Sequence, residues 1–267
     1  MSKKNNKNIQ KIVMQYIHTF LDFFTTNFPS LKLISWLFPV ACLFSFLSLF
    51  IAGFCKQTLK WRTGFSRKTF HFFIFFAAYF CQQKMGLPAV FILGWSVTLV
   101  LIYAIIKADG NLFYEALARE KDAPFRTKYI VYSYLATFFG GVISNLLFGP
   151  FAIFGYLITG IGDAIAEPIG TYFGKHQYRV FSFDKTKISY RSIEGSLAVF
   201  VSVLVIMYLS PCPFFSFKEY LLIAIICTVV EALSPSGFDN MLLQIIASFL
   251  FYKLLSNSVG YSECLGI

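Results

Sequence analysis

The chain has 267 residues, of which 57% are hydrophobic, 19% aromatic and only 13% charged. Soluble globular domains carry about 25% charged residues, so this composition excludes an ordinary soluble protein. The net charge of +10 would suit a nucleic-acid-binding protein, but basic residues also collect on the cytoplasmic side of membrane proteins. We prefer the membrane explanation and expect no nucleic-acid partner.

Long apolar runs recur along the chain and approach the ~20 residues that cross a bilayer. We expect helices, because backbone exposed to lipid must satisfy its hydrogen bonds within its own segment. The prediction is an all-α, polytopic integral membrane bundle of about eight or nine transmembrane helices. The predicted spans are 33–55, 69–85, 87–107, 129–148, 150–171, 195–210, 219–234 and 239–255.

The stretch 9–28 is amphipathic, so it is either an interfacial helix or a ninth span. Nineteen of the 23 lysines and arginines fall in the first eleven residues or in three long loops, and the other four lie at the opposite ends of the predicted spans. This alternation predicts that the three loops face the cytoplasm and favours nine spans. We therefore divide the chain into 1–32, a basic tail with an amphipathic or first membrane helix, and 33–260, a single membrane domain.

Two carboxylates close the span that ends in GDAIAEPIGTYFGK (162–175). Asp163 and Glu167 are four residues apart and therefore share a helix face. Two acids on one face repel unless something compensates them, and Mg²⁺ is a natural partner for one or two carboxylates together with substrate phosphates. The alternatives are a buried salt bridge from Asp163 to Lys175 or Arg191, and glycines that only pack helices.

Three further polar patches are expected on the same, cytoplasmic side as these acids. The stretch RKTFH (67–71) places cationic side chains and a histidine at a helix start, which suits phosphate binding. RSIEGS (191–196) opens a later span, and EALSPSGFDN (231–240) is a polar turn between two spans. Because ionisable groups at membrane depth are costly and usually functional, four patches on one side predict one site near the cytoplasmic interface.

Taken in order, these four motifs resemble those of the polyprenol kinase family, which includes dolichol kinase, phytol kinase and CTP-dependent diacylglycerol kinases. The resemblance covers about 67–250, and the block GDAIAE…G…FGK is its most specific part. It implies transfer of a γ-phosphate, typically from CTP, to a lipid hydroxyl. Arg191 stands where the family commonly has a lysine.

The residues and the resemblance together assign three groups of site residues. The candidate catalytic acids are Asp163 and Glu194. The candidate ligands of Mg²⁺ are Asp163, Glu167 and Asp239. The candidate nucleotide-binding residues are Arg67, Lys68, His71, Gly162, Gly170, Lys175, Arg191, Ser192, Gly195 and Asn240.

We therefore expect a CTP-dependent lipid kinase that acts on a membrane isoprenoid alcohol, such as phytol, farnesol or a dolichol-like alcohol, at the cytoplasmic face. One alternative is a CTP-dependent diacylglycerol kinase. Another is an enzyme like phosphatidate cytidylyltransferase, which transfers a cytidylyl group and releases pyrophosphate. A transporter ranks third, because the charges cluster at one interface and the sequence shows no internal repeat.

Overall fold

The computed structural model describes residues 14–15, 17–182, 189–209, 216–235 and 237–256. The basic tail at 1–13 and the end of the predicted domain at 257–260 lie outside these residues. The first helix, α1, covers 17–26. The rings of Phe23 and Phe24 contact Phe91, which belongs to the later helix Leu87–Lys107. Whether this segment crosses the membrane stays a prediction.

Three long helices follow: α2 (Leu31–Gln57), α3 (Thr63–Met85) and α4 (Leu87–Lys107). The hydroxyl of Ser30 caps α2 by accepting a hydrogen bond from the Leu33 amide at 3.2 Å. Gly86 separates α3 from α4 with a φ of +77°, a conformation that favours glycine, and Pro88 follows in the first turn of α4. The buried faces of these three helices form most of the first hydrophobic core, which residues of later elements complete.

A short folded connector joins α4 to the next long helix. It contains α5 (Leu112–Leu117) and a 3₁₀ turn (Glu120–Asp122). Glu115 holds it in place, because its carboxylate lies 3.1 Å from Lys56 Nζ and 2.7 Å from Arg126 Nη2. The loop that the charge pattern placed outside the membrane is therefore an ordered part of the fold.

The stretch from 126 to 173 is helical but not uniform. It comprises α6 (Arg126–Phe148), a 3₁₀ turn (Gly149–Phe151), α7 (Ala152–Ile158), a π turn (Thr159–Asp163) and α8 (Ala164–Phe173). The predicted span 150–171 is thus two helices joined by a π turn. Such turns are rare and often occur at functional sites.

An antiparallel hairpin, β1 (Gln177–Val180) and β2 (Ser189–Ser192), follows α8. Its register pairs Gln177 with Ser192 and Val180 with Ser189. The all-α prediction missed it, because four-residue strands in a polar loop leave no clear alternating pattern. The hairpin places the polar start of the next helix beside the end of α8.

The last three helices are α9 (Ile193–Leu209), α10 (Phe217–Leu233) and α11 (Asp239–Leu255). They pack with α7 around a second hydrophobic core, in which the rings of Phe154 and Phe251 stack with centroids 3.8 Å apart. Ser216 and Glu219 form a capping box at the start of α10.

Within the described ranges, three helical stretches are long and apolar enough to cross a membrane: Leu31–Gln57, Leu87–Lys107 and Arg126–Phe173. Ile193–Leu209 is apolar but shorter. Helices of 17 residues such as α10 rise by ~26 Å, slightly less than the ~30 Å hydrocarbon core. The structure therefore supports a helical membrane protein, while the count of eight or nine spans stays a prediction.

Candidate active site

The site is centred where the first turns of α3 meet the π turn and α8. A close approach at Gly160 permits this crossing, since a Cβ atom there would lie 2.5 Å from Phe75 Cβ. The crossing places the cationic face of RKTFH opposite the two acids of GDAIAE. The two motifs meet in opposite order, because Arg67 pairs with the later acid, Glu167, and Lys68 with the earlier one, Asp163.

Two ion pairs cross this junction. Lys68 Nζ contacts Asp163 Oδ2, and Arg67 Nη2 contacts Glu167 Oε2. The first pair is almost fully enclosed, with side chains 5% and 4% exposed. Asp163 therefore does form a buried salt bridge, but with Lys68 rather than with Lys175 or Arg191, the two partners considered from the sequence. Lys68 Nζ also lies 3.7 Å from Glu167 Oε2, so both acids share one ammonium group.

His71 lies on the same face of α3 as Lys68, one turn deeper into the bundle. Its Nε2 lies 3.2 Å from the carbonyl oxygen of Thr159 and 3.5 Å from Asp163 Oδ2. Its ring packs on Phe75, with centroids 4.4 Å apart. Because Nε2 faces a carbonyl oxygen, it carries the proton and donates it to Thr159.

A second charged cluster faces the first. Arg191, at the end of the hairpin, contacts Glu231 Oε1, and its Nη2 lies 3.2 Å from Asp239 Oδ2. Asp163 acts electrostatically on Arg191, as Asp239 does on Arg67, so the two clusters lie within electrostatic reach of each other. The four motifs thus surround one region.

Glu231 was not among the predicted site residues, although it is 5% exposed and binds the central arginine of this second cluster. The available signal was an acid at the end of an apolar helix, directly before the polar turn. Such an acid needs a buried cationic partner. Its partner, Arg191, lies forty residues earlier in the sequence, so no local pattern identifies the pair.

Glu194 lies away from Asp163 in this structure. Its carboxylate accepts a hydrogen bond from the amide of His176 and contacts that imidazole at 2.8 Å. It also lines an apolar groove of about 700 Å³ between α8 and α9, opposite Ile165 and Ile169. Asp163, in the π turn before α8, does not line this groove and contacts Lys68 of α3.

Three predicted nucleotide-binding residues lie where α8 packs closely against α9, and their role in nucleotide binding stays a prediction. Ser192 Oγ accepts a hydrogen bond from the Gly195 amide at 3.1 Å. A Cβ atom at Gly170 would lie 2.9 Å from the same oxygen, and one at Gly195 would lie 3.1 Å from the carbonyl oxygen of Ala166. These positions allow close helix packing.

Gly162 and Lys175 lie on either side of this helix contact. A Cβ atom at Gly162 would meet Val199 at an ordinary 3.5 Å, so no close packing requires glycine there. The side chain of Lys175 is exposed beyond the end of α8. Neither residue takes part in the two ion-pair clusters, so any nucleotide contact they make is separate from those pairs.

The carboxylates of Asp163 and Glu167 suit a hard cation whose remaining ligands come from water and a bound phosphate compound. Asp163 and Glu167 both approach Lys68 Nζ, so their oxygens converge, whereas Asp239 lies with Arg191. Among the residues that the structure describes, no three His, Cys, Asp or Glu side chains form a group that could hold a metal alone. Mg²⁺ commonly takes one or two carboxylates and completes its shell with water and phosphates, and this donor set fits that pattern.

A cavity of about 90 Å³ adjoins the cationic face of α3. Arg67, Lys68 and His71 form its polar side, together with Ser133 and Thr137 of α6 and Asn240 of α11. Apolar side chains of α3, α4 and α6 form its other side, among them Ile74, Val97, Leu101 and Ile130. The connector contributes Arg119, whose Nε donates to Asp122 Oδ2 at 2.7 Å.

Comparison with known proteins agrees with the motif resemblance. The chain is 28% identical over 210 residues to the dolichol kinase sec59 of Schizosaccharomyces pombe, an alignment that covers 72% of this chain. The chain spans about two fifths of that relative's length, since the alignment covers 40% of it. No family model and no solved structure matches the chain. The similarity, together with the four motifs, supports assignment of this chain to the polyprenol kinase family.

Proposed function

We propose that the protein is a lipid kinase that transfers the γ-phosphate of a nucleoside triphosphate, with CTP as the expected donor, to the hydroxyl of a membrane isoprenoid alcohol. This proposal rests on two ion pairs that form at one helix crossing, Lys68–Asp163 and Arg67–Glu167. The crossing brings cations suited to phosphate and carboxylates together beside a cavity that has one polar and one apolar side. The similarity to a dolichol kinase supports the same reaction class.

Phosphoryl transfer depends mainly on positioning and on neutralising the charge of the transferred group. Arg67 offers a planar guanidinium that binds phosphate oxygens in a bidentate manner, and Lys68 offers a compact ammonium. In the free protein, Glu167 and Asp163 occupy these cations. Bound phosphates would exchange with the carboxylates as partners of the cations, which frees the carboxylates for other contacts.

In the reaction, the alcohol oxygen forms a bond to the γ-phosphorus as the bond from that phosphorus to the β-γ bridging oxygen breaks. The products are a lipid phosphate monoester, a nucleoside diphosphate and the proton of the hydroxyl. Asp163 is our candidate to receive this proton, because it is buried and contacts Lys68, a residue that lines the cavity. Glu194 is the less favoured candidate, since it faces the groove between α8 and α9.

Magnesium would be held by Asp163 and Glu167, and when bound it supplies charge neutralisation for the phosphates. Asp239 is placed to act through Arg191, its partner at 3.2 Å. Arg119 extends the cationic surface on the connector side, where its charge acts on Glu167. These residues would let the site hold a polyanion at the edge of an apolar bundle.

We place the reaction at the cytoplasmic face. The loops 56–68, 107–128 and 174–191 are rich in lysine and arginine. These loops contribute the parts of the protein that border the site: the cationic start of α3, the connector and the hairpin. Basic loops remain on the cytoplasmic side during membrane insertion. A nucleotide would therefore reach the site from the cytoplasm and the alcohol from the bilayer.

The test is product analysis with the purified protein in nanodiscs, supplied with Mg²⁺, candidate alcohols or phosphatidate, and CTP that carries label on either the α- or the γ-phosphate. A kinase transfers only the γ-label to the lipid and leaves CDP. A cytidylyltransferase transfers the α-label and releases pyrophosphate. Diacylglycerol in the alcohol panel distinguishes the related diacylglycerol kinase activity, and absence of label in every lipid would reject the proposal.

A further inference from the structure

Arg119, in the connector, lines the cavity beside α3 with a guanidinium group that is only partly used. Its Nε donates to Asp122 Oδ2 at 2.7 Å, which occupies one of the five N–H donors of the side chain. Neither Nη group has a hydrogen-bond partner among the residues that the structure describes. Both remain accessible, in contrast to the enclosed and unpaired Nε atoms of Arg67 and Arg126. Four N–H donors at the outer end of Arg119 are therefore available to a ligand.

The chain is fixed on both sides of Arg119. The carbonyl oxygen of Ala118 accepts a hydrogen bond from Lys56 Nζ at 3.0 Å. The carboxylate of Glu120 accepts one from Thr63 Oγ1 at 2.5 Å and lies 2.8 Å from Lys56 Nζ. These contacts tie the connector to α2 and α3. Because both the backbone and Nε are held, the outer end of the guanidinium loses little conformational freedom when it binds a ligand.

The other two cations of the cavity are already occupied. Lys68 contacts Asp163, and Arg67 contacts Glu167, so a phosphate must replace a carboxylate at each of them. The outer end of Arg119 needs no such exchange. The charge of Arg119 also acts on Glu167, which places this side chain within electrostatic reach of the two ion pairs. Arg119 is thus the cation of the cavity that an incoming anion can bind first.

The shape of the available group selects the ligand. The two Nη groups of a guanidinium lie in one plane and match two oxygens of a phosphate or a carboxylate. Among the substrates of the proposed reaction, the lipid alcohol carries neither group, whereas the nucleoside triphosphate carries three phosphates. A phosphate of the nucleotide is therefore the expected partner.

We propose that Arg119 is a phosphate-binding residue whose Nη1 and Nη2 donate to two oxygens of the nucleoside triphosphate, and that Asp122 is its positioning residue. This inference rests on the proposed function and adds to it a direct nucleotide contact from the connector. Asp122 is 5% exposed and holds Nε, so the free end of the guanidinium keeps a fixed orientation. A lipid phosphate product offers the same oxygens and is the competing ligand.

The experiment measures the affinity of the full-length protein in nanodiscs for a phosphate chain. CTP labelled on the α-phosphate is bound in the presence of Mg²⁺ and is displaced by unlabelled CTP or by inorganic tripolyphosphate, which reports on phosphate contacts alone. We expect Arg119→Gln to weaken binding of both ligands about 10- to 100-fold, the value of a charge-assisted hydrogen-bonded contact. Arg119→Lys keeps the charge but not the planar pair of donors, so it should recover only part of the affinity.

Two further variants separate positioning from charge. Asp122→Leu has a similar size but removes both the acceptor of Nε and a negative charge. Charge alone predicts tighter binding of tripolyphosphate, whereas loss of the positioning contact predicts weaker binding, and we expect the weaker binding. Arg62→Gln is the matched control, because Arg62 is exposed before α3 and does not line the cavity. Since salt screens exposed charges, its affinity should stay within about twofold of the wild type.

All affinities are compared per folded protein, and the Arg119 variants should fold because this side chain is 18% exposed. The inference is overturned if Arg119→Gln or Arg119→Lys binds tripolyphosphate as the wild type does, or if Asp122→Leu binds it more tightly. It is also overturned if Arg119→Gln weakens displacement by farnesyl phosphate alone. Failure of the proposed function is a different result: CTP binding would depend on Arg119, but the wild type would transfer no γ-label to any lipid.

Discussion

Replacement of Asp163 by asparagine tests the centre of the proposed site. The side chain of Asp163 is 4% exposed, contacts Lys68 and lies 3.5 Å from His71 Nε2. The asparagine has nearly the same shape but no charge. The change therefore leaves Lys68, which is itself 5% exposed, without its main counterion.

The cost should be large, because a buried charge that loses its partner destabilises a protein by about 3–5 kcal/mol. Glu167 remains 3.7 Å from Lys68 Nζ and partly compensates, which favours the lower end of that range, ~3 kcal/mol. For a chain of this size, such a loss lowers Tm by about 6–12 °C. If Asp163 receives the proton of the hydroxyl, kcat should also fall by about 10²-fold or more.

A double variant separates these two effects. Lys68→Met with Asp163→Leu removes both charges and leaves an apolar pair, an exchange that is often neutral or stabilising for buried ion pairs. We expect it to recover most of the lost Tm, measured by tryptophan fluorescence in detergent, but no kinase activity, measured with γ-labelled CTP. Glu219→Gln is the control, because it weakens only the capping box of α10 by about 1 kcal/mol or less and should keep kcat normal.

Two results would refute this reasoning. Near-normal turnover of Asp163→Asn, after correction for the folded fraction, would remove Asp163 from the chemistry. Recovery of both stability and activity in the double variant would show that the Lys68–Asp163 pair serves only the fold.

Two further predictions concern packing and pH. In Gly170→Ala the new methyl group would lie 2.9 Å from Ser192 Oγ and disturb the cap of α9, so Tm should fall by several degrees, whereas Gly162→Ala, with a nearest contact at 3.5 Å, should leave Tm nearly unchanged. An unchanged Tm in Gly170→Ala would show that α8 and α9 are not packed closely there. Burial raises the pKa of Glu115, but hydrogen bonds from Arg126, the Gly110 amide and Lys56 outweigh this and lower it from 4.5 to about 2. Because the folded pKa is the lower one, this stabilisation is complete above about pH 4.5 and is lost as the pH falls toward 2. Proteolysis of the connector should therefore accelerate over that window. Glu115→Gln should reduce this pH dependence, and the part that remains belongs to Glu120, whose pKa is raised by burial but lowered overall by hydrogen bonds from Lys56 and Thr63. A connector that is cleaved at the same rate across the window would contradict this assignment.

The sequence predicted the long helices well where apolar composition and helix-breaking residues agree. The predicted span 87–107 coincides with α4 (Leu87–Lys107), whose start is marked by Gly86 and Pro88. The stretch 150–171 was correctly predicted to be helical, but its π turn at Thr159–Asp163 was not predicted. Such a turn depends on how α3 crosses this helix, which is information from outside the local sequence.

The charged residues of the site were also recognisable from sequence, because ionisable side chains in apolar runs are costly and must be compensated. Their partners were not. The sequence suggested Lys175 or Arg191 for Asp163, whereas the fold pairs it with Lys68, ninety-five residues earlier. The helical period determines which residues share a face, but the crossing of two helices decides which faces meet.

The amino-acid sequence by itself therefore determined the membrane character of the chain, most of its helices and the polar motifs that carry the family resemblance. Tertiary structure alone decided that Glu194 faces a groove between α8 and α9, that Glu231 binds Arg191, and that Asn240 donates a hydrogen bond to Thr137 of α6. The physical reason is that backbone hydrogen bonds and hydrophobic periodicity act over a few residues. The pairing of buried charges and the satisfaction of buried hydrogen bonds depend on side chains that only the packed helices bring together.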